Sequence, residues 1–431
     1  MTAPSTTTLR QLIMESRDGE WGQSDSFPNS VEMAVIRGTD FERVRLGSLD
    51  GVPVRYVSRH IAERKMLRSY DIVIETAGGT KGRSTGRTLL IKPSTIARSG
   101  LPLTCASFSR FVRVDPNKAD PVYVFWVLQY LHSAGHMMQY NTQHTGVSRF
   151  QFTIFAESEP LMCPPLPIQR KIAAVLSACD DLIENNIRRI KILEEMAQAI
   201  YREWFVQLRF PGHEKVKVVD SSLGKIPEGW KIKKFSEAIR ISPTEKIPKE
   251  TKKPYVAMEG LSISSMLVSP TEIRTGSNGS KFRNRDTLFA RITPCLENGK
   301  TGFVQFLPTD NDVGLGSTEF MVFRAETVSP EYVYLLARQE DFRGLAIKSM
   351  SGASGRQRVD PRCFEKYYIA QPDNIFLESF SAFVRPIFRE IYVLNRKNEL
   401  LRGTRDMLLP KLISGEVDVS ELDINGREMN S

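Results

Sequence analysis

From Ile172 onward, apolar positions recur at intervals of mostly four and three: Ile172, Leu176, Cys179, Ile183, Asn186, Ile190, Leu193, Ala197, Ile200 and Trp204. That spacing keeps one stripe of an α-helix turned towards a partner, and it predicts a helix over about 168–208. A breaker-free run of ~40 residues extends about 60 Å, longer than one domain requires, so the stripe is read as a coiled-coil seam. Asn186 stands in the seam, where a polar residue can fix register at some cost in stability. A second stripe runs through Phe380, Phe383, Ile387, Ile391, Leu394, Asn398, Leu401, Leu408 and Leu412. It predicts a helix over about 375–414, which Pro386 should kink or divide and Gly415 should end. The two helices are expected to pair antiparallel.

Before each helix the pattern changes to short alternating runs broken by Gly, Pro and Ser. Residues 70–75, 88–91 and 109–114 predict strands in the first half, and 287–292, 302–306 and 319–324 in the second. Helices are expected near 122–131 and 331–338. The two halves also repeat, with an offset of about 207 residues. Pro121-x-Tyr123-Val124 returns as Pro330-x-Tyr332-Val333, and Thr145-Gly146-Val147-Ser148 as Ser351-Gly352-Ala353-Ser354. Pro165-Leu166-Pro167-Ile168 returns as Pro372-Asp373-Asn374-Ile375. The expected fold is α+β: two globular domains separated by two long antiparallel coiled-coil helices. The expected boundaries are a first globule over 1–163, the central helix over 164–208, a second globule over 209–371, the distal helix over 372–415 and an acidic tail over 416–431.

Charge then sharpens the picture. The 431 residues carry a net +9, which permits an acidic partner such as nucleic acid. The excess is uneven. Residues 37–160 hold 17 Lys and Arg against 10 Asp and Glu, and 209–253, read as a linker leading into the second globule, hold 12 against 6. Residues 165–208 balance at 6 and 6, and 254–373 at 14 and 14. The five cysteines include no CxxC pair, so neither a zinc site nor a disulfide framework is expected, and a reducing cytosol is the simple reading. No apolar run reaches the ~20 residues that span a bilayer, so no membrane is expected.

No catalytic constellation emerges. The only Pro-Pro, Pro164-Pro165, lacks the flanking amide or acid and aromatic of an adenine methyltransferase motif. Glu250-Thr251-Lys252 precedes the only Pro-Asp, Pro372-Asp373, the reverse of the order a common metal-dependent nuclease requires. There is no P-loop and no HExxH. What the chain does have is loops that combine Gly, Ser or Thr, and cations. Residues 77–87 let main-chain N–H groups approach an anion while Lys81, Arg83 and Arg87, with Thr85, meet phosphates or guanine edges. Residues 297–302 take the comparable place in the second half, with Lys300 as the segment's cation and Arg291 as a further candidate before it. The second matched pair is His144, Ser148 and Arg149 against Ser354, Arg356, Gln357 and Arg358. These thirteen residues are the candidate DNA contacts. Two other readings stay open: a single-chain DNA methyltransferase or nuclease with an unfamiliar motif, separable by intrinsic cofactor binding, and a coiled-coil scaffold that never touches DNA.

Three further blocks carry a resemblance. Pro164-Pro165-Leu166-Pro167-Ile168-Gln169-Arg170-Lys171-Ile172-Ala173 is similar to the "PPLxEQxxI" block of type I restriction–modification specificity subunits, with Ile168 in place of the usual acidic residue. Ala199-Ile200-Tyr201-Arg202-Glu203-Trp204-Phe205, then Leu223-Gly224-Lys225-Ile226-Pro227-Glu228-Gly229-Trp230, resembles that family's junction into its second target-recognition domain. Asp406-Met407-Leu408-Leu409-Pro410-Lys411-Leu412-Ile413-Ser414-Gly415-Glu416-Val417 resembles its C-terminal signature. The departures are a weak 373–376 opening of the distal helix and an extended N-terminus before Ile36. The resemblance implies a non-catalytic, cytoplasmic subunit whose two globules each read one half of a bipartite site on double-stranded DNA. It implies helices that set the spacer and dock two methyltransferase subunits, with restriction and motor subunits joining. S-adenosylmethionine, ATP and Mg would then belong to those partners, and no cofactor or metal to this chain.

Overall fold

The first long helix is Leu166–Tyr201, continued by a wider π turn, Arg202–Val206. The second is Asn374–Ile413. The computed structural model describes residues 6–78, 85–144, 147–248, 250–353 and 355–423, with the main chain alone of His144 and Val147. It divides into two compact units, 1–185 with 397–431 and 186–396, so each unit takes half of each long helix.

The two units share one topology. In the first, a four-stranded sheet has the spatial order Ile13–Asp18, Ser109–Val114, Ile72–Glu75, Thr88–Leu90; in the second it is Ile239–Ile241, Phe320–Ala325, Thr287–Ala290, Thr301–Phe303. All these pairings are antiparallel. Beside them Ser30–Ile36 pairs antiparallel with Val54–Ser58 and parallel with Leu103–Cys105. Its counterpart Lys253–Val256 pairs antiparallel with Glu272–Arg274 and parallel with Gly314–Gly316. A third pairing, Thr6–Thr8 with Pro160–Met162, recurs as Lys231–Lys234 with Tyr368–Gln371. The segment before Ile36 is thus the counterpart of 231–241 and belongs to the repeat; it is not an extension. Likewise 209–253 is more than a linker. It forms the hairpin Val218–Ser221/Gly224–Pro227 and two sheet strands, which its lysine-rich alternation conceals.

One polar cluster is built twice and ties each sheet together. Asp71 accepts from Arg113 Nε and Nη2, both at 2.8 Å, and from the Arg68 N–H at 2.7 Å. Asp286 accepts from Arg324 Nε and Nη2 at 2.8 and 2.6 Å, and from the Arg283 N–H at 2.7 Å. A second carboxylate closes each cluster, Glu15 on Arg113 and Glu245 on Arg324. Both turns place a non-glycine residue in the left-handed region, Tyr70 at φ 68° and Arg285 at φ 71°. Such a conformation is uncommon away from glycine, and two equivalent occurrences mark one inherited turn. The helix Pro121–Ser133 and its counterpart Pro330–Ala337 each start with Pro at the first position after a capping side chain, Asp120 or Ser329.

Within each unit the helix halves run antiparallel. In the second, Arg189 meets Glu390 at 2.9 Å, while Trp204 further on meets Phe376 and Phe380 earlier in the partner helix. In the first, Arg405 meets Asp180 at 2.5 Å, and Ile172 and Leu176 share a core with Leu409, Leu412 and Ile413. Pro386 does not divide the distal helix, which is continuous. Its ring is exposed, and buried Phe380, Val384, Phe388, Ile391 and Leu394 hold the turns on both sides of it. That packing outweighs the one backbone bond a proline removes. The buried stripe also differs by a position from the expected one: Phe383 is 56% exposed and Ile387 half-buried. The remaining seam residues Ile172, Leu176, Ile183, Asn186, Ile190, Ile391, Leu394 and Asn398 are buried, with Leu193 and Leu401 half-buried.

Candidate nucleic-acid interface

The matched loops lie at equivalent edges of the two sheets. In the first unit, Asn141–His144 and Val147–Phe150 form a hairpin, and Ala77–Gly78 pairs against its second strand. The Ala77–Arg149 pair lies two residues beyond the end of strand Ile72–Glu75. In the second unit, Ser351 and Arg358 exchange main-chain bonds at 3.0 and 2.9 Å, and Arg358 also bridges Ile292, two residues beyond Ala290. Arg149 and Arg358 therefore occupy the same place in the repeat. Gly355 at φ 77° lets the second loop turn where a side chain would strain it.

The candidate residues separate into two kinds. Arg87 is engaged by Glu75 below its loop, with Nη2 to Oε1 at 2.6 Å and Nε to Oε2 at 2.9 Å. This bond raises the guanidinium pKa, against the pull of burial. Thr85 is fully buried, and its hydroxyl donates to Asn141 Oδ1, which removes it from direct contact with a ligand. The Ser148 hydroxyl donates to the same oxygen at 3.3 Å. Lys300 reaches inward to the Met258 carbonyl at 2.7 Å. Arg358 grips Glu319 through Nη2 and Nε at 2.7–3.0 Å, with Arg291 at 3.5 Å from the same carboxylate. That hydrogen bond and the two positive charges hold the Glu319 carboxyl below its ordinary range. The Gln357 main chain is bonded to Thr293. These groups shape the loops. Arg149 and Arg356, by contrast, are exposed and have no ion pair among the described residues. Lys81, Arg83 and Ser354 lie outside the described residues, as does the His144 side chain.

Sequence reasoning missed the carboxylates that hold these arginines. Glu75 and Glu319 are far in sequence from Arg87 and Arg358, so spacing alone could not pair them. The duplicated Arg-x-x-Asp at Arg68–Asp71 and Arg283–Asp286 was a readable signal of the repeat. Among the described residues no helix is long and apolar enough to cross a membrane, and no group of three or more His, Cys, Asp and Glu could hold a metal ion.

No family model matches the chain. Among curated proteins it is 25% identical over 307 residues to the specificity subunit of the type I restriction enzyme MjaIX of Methanocaldococcus jannaschii, covering 68% of this chain and 69% of that one. It is 29% identical over 157 residues to the EcoEI specificity subunit of Escherichia coli, a match that spans 35% of this chain and 26% of that one. It is 20% identical over 321 residues to the HindI specificity subunit of Haemophilus influenzae, 60% of this chain and 69% of that one. The crystal structure of a type I restriction–modification S subunit from M. genitalium has the same fold, with TM-score 0.57 at 14% identity over 95% of this chain and 96% of that one. The similarity to type I specificity subunits read from the sequence motifs thus recurs in both relatives and fold.

Proposed function

We propose that the chain is the DNA-recognition subunit of a type I restriction–modification complex. Each α+β unit reads one half of a bipartite site on double-stranded DNA. The long helices set the spacer between the halves and dock two methyltransferase subunits, and restriction and motor subunits join that core. S-adenosylmethionine, ATP and Mg belong to those partners, while this chain supplies the address and no chemistry.

The observation that carries the reading is the duplication of one topology, each copy presenting a cation-bearing loop pair at the same sheet edge. A bipartite site is what two equivalent readers on one chain require. The contacts fall to Arg149, Arg356 and the Gln357 side chain, together with the expected Lys81, Arg83, His144 and Ser354, while Ser148 braces its hairpin. Arg87, Arg291, Lys300 and Arg358 act by holding the loops in shape. The test is binding by the full chain with its methyltransferase subunit to a pool of random duplexes. The expected outcome is one split motif with a fixed spacer, and affinity that falls steeply with salt. Selection of an uninterrupted motif, or of none, would overturn the reading.

A further inference from the structure

The two equivalent loop edges differ at one position that changes their chemistry. Strands Leu103–Cys105 and Ser109–Val114 are joined by three residues, 106–108; strands Gly314–Gly316 and Phe320–Ala325 are joined by 317–319. The turns match in the main-chain bonds at both ends. The Ser109 N–H donates to the Ala106 carbonyl at 2.8 Å, and the Phe320 N–H to the Ser317 carbonyl at 3.1 Å. The Phe108 carbonyl accepts from the Thr76 N–H at 2.9 Å, and the Glu319 carbonyl from the Arg291 N–H at 3.0 Å. Phe108 therefore stands where the second unit has Glu319.

In the second unit that carboxylate holds Arg358. In the first, the equivalent Arg149 faces no such carboxylate and is left exposed. Phe108 itself is 64% exposed; it and Phe383 are the exposed phenylalanines among the described residues. Its backbone is fixed, because its carbonyl also accepts from the Ala77 N–H at 3.1 Å and Ser109 beside it is buried. Its ring is thus presented from a fixed main chain, on the edge that carries exposed Arg149, where it is open to apolar contact with a ligand.

We propose that Phe108 is a base-reading residue of the first unit, contacting the 5-methyl group of a thymine in the half-site that this unit reads. The inference rests on the DNA-recognition reading. Apolar contact is the way a protein distinguishes thymine by its methyl group, and an adjacent arginine suits a neighbouring guanine. The second unit, with Glu319 in the same place, has no such apolar reader and neutralises its arginine instead.

The experiment uses the full chain with its methyltransferase subunit and the duplex selected above, with each thymine replaced in turn by uracil, which removes only the methyl. At one position in one half-site, uracil should weaken binding about fourfold, the worth of one buried methyl. Phe108→Ala should weaken binding to the thymine duplex roughly tenfold and abolish the discrimination at that position alone. Phe108→Glu should weaken it further, by giving Arg149 the partner that Arg358 has. All three proteins should unfold at the same urea concentration, since the side chain is exposed. Unchanged affinity and discrimination in Phe108→Ala, or no uracil-sensitive position in the unaltered protein, overturns the inference and leaves the DNA reading standing. Failure of the unaltered complex to select any duplex overturns both.

Discussion

The two units rest on the long helices with a different balance of ionic and apolar contacts. The first adds a dense set of ion pairs to its apolar core. Asp180 on the central helix receives Arg45 Nε at 2.8 Å and Arg405 at 2.5 Å, while Glu184 receives Lys92 at 3.0 Å and Arg98 at 2.6 Å. The second has an ion pair to the distal helix, Arg385 on buried Glu331 at 3.0 Å, and a far larger cluster of rings. Trp204, Phe205 and Tyr201 pack against Phe376, Phe380 and Tyr332, with centroids 4.8–5.7 Å apart in the closest pairs. The π turn at Arg202–Val206 is where Trp204 and Phe205 join this cluster. One topology can therefore be seated with more weight on directional charge pairs or with more on aromatic area. The lesson is that the duplicated sheet is the constant part and its attachment is free to diverge.

The largest effect should come from the aromatic seat. Trp204→Ala removes a buried ring with three aromatic neighbours on the distal helix. The expected loss is about 3–5 kcal/mol, the usual range for a core Trp or Phe. Urea denaturation, with hydrogen exchange to localise the change, should show lost protection in 186–396 and little change in 6–185. A uniform loss through both units would break the comparison.

The ionic seat should be sensitive to one atom's charge. Asp180→Asn keeps the volume but leaves the largely buried Arg405 beside a neutral amide. Breaking a buried pair from one side costs up to roughly 3 kcal/mol, here reduced because Arg405 keeps the exposed Asp406 at 2.7 Å. The protection lost should lie in 6–185. The pairs on Glu184 involve partly exposed Lys92 and Arg98, and removing either should cost far less. Asp180→Asn without effect on the first unit would show that its apolar core alone seats it.

Much of this comparison was unreadable in the sequence. The helices were legible because a seam of threes and fours is a local signal, and so were six strands, each displaced by at most three residues at an end. The repeat was legible from short matches near its C-terminal part, where the offset is steady. Towards the N-terminus the offset grows, from 207 at Pro165/Pro372 to 215 at Asp71/Asp286, because the loops differ in length. That drift hid the counterpart of 231–241. Pro386 misled because propensity is local, whereas the packing of Val384 and Phe388 is not. Arg87 and Arg358 looked like free cations because their carboxylates, Glu75 and Glu319, pair with them only through the sheet. Phe108 was passed over for the same reason: exposure is a property of the fold.

The smallest expected effect makes the sharpest test, because it predicts opposite signs in the two seats as pH falls. Burial pushes the Asp180 carboxyl up, but Arg45 and Arg405 overcome that and hold it below its ordinary range. Its stabilisation is therefore present above the unfolded value near ~4 and is lost as pH falls through the lower folded value. Glu194, on the central helix in the second unit, accepts from Ser265 Oγ at 2.5 Å and the Met266 N–H at 2.8 Å. Its other oxygen, Oε2, is buried with no hydrogen-bond partner among the described residues. Burial pushes this carboxyl above its ordinary range in spite of those two bonds. Its ionisation works against the fold at neutral pH, and acidification through the raised value relieves that penalty. Pulse-labelled hydrogen exchange after incubation between pH 7 and pH ~3 should show 37–105 loosening while 262–267 tightens. Glu194→Gln should keep an acceptor for Ser265 and Met266 and stabilise the second unit slightly at pH 7. The weaker neutral bonds and the relieved desolvation offset to within about 1 kcal/mol. The variant should also lose the tightening of 262–267 on acidification and leave the first unit's response intact. Parallel loosening of both seats would mean that the second unit depends on its Arg385–Glu331 pair more than on Glu194.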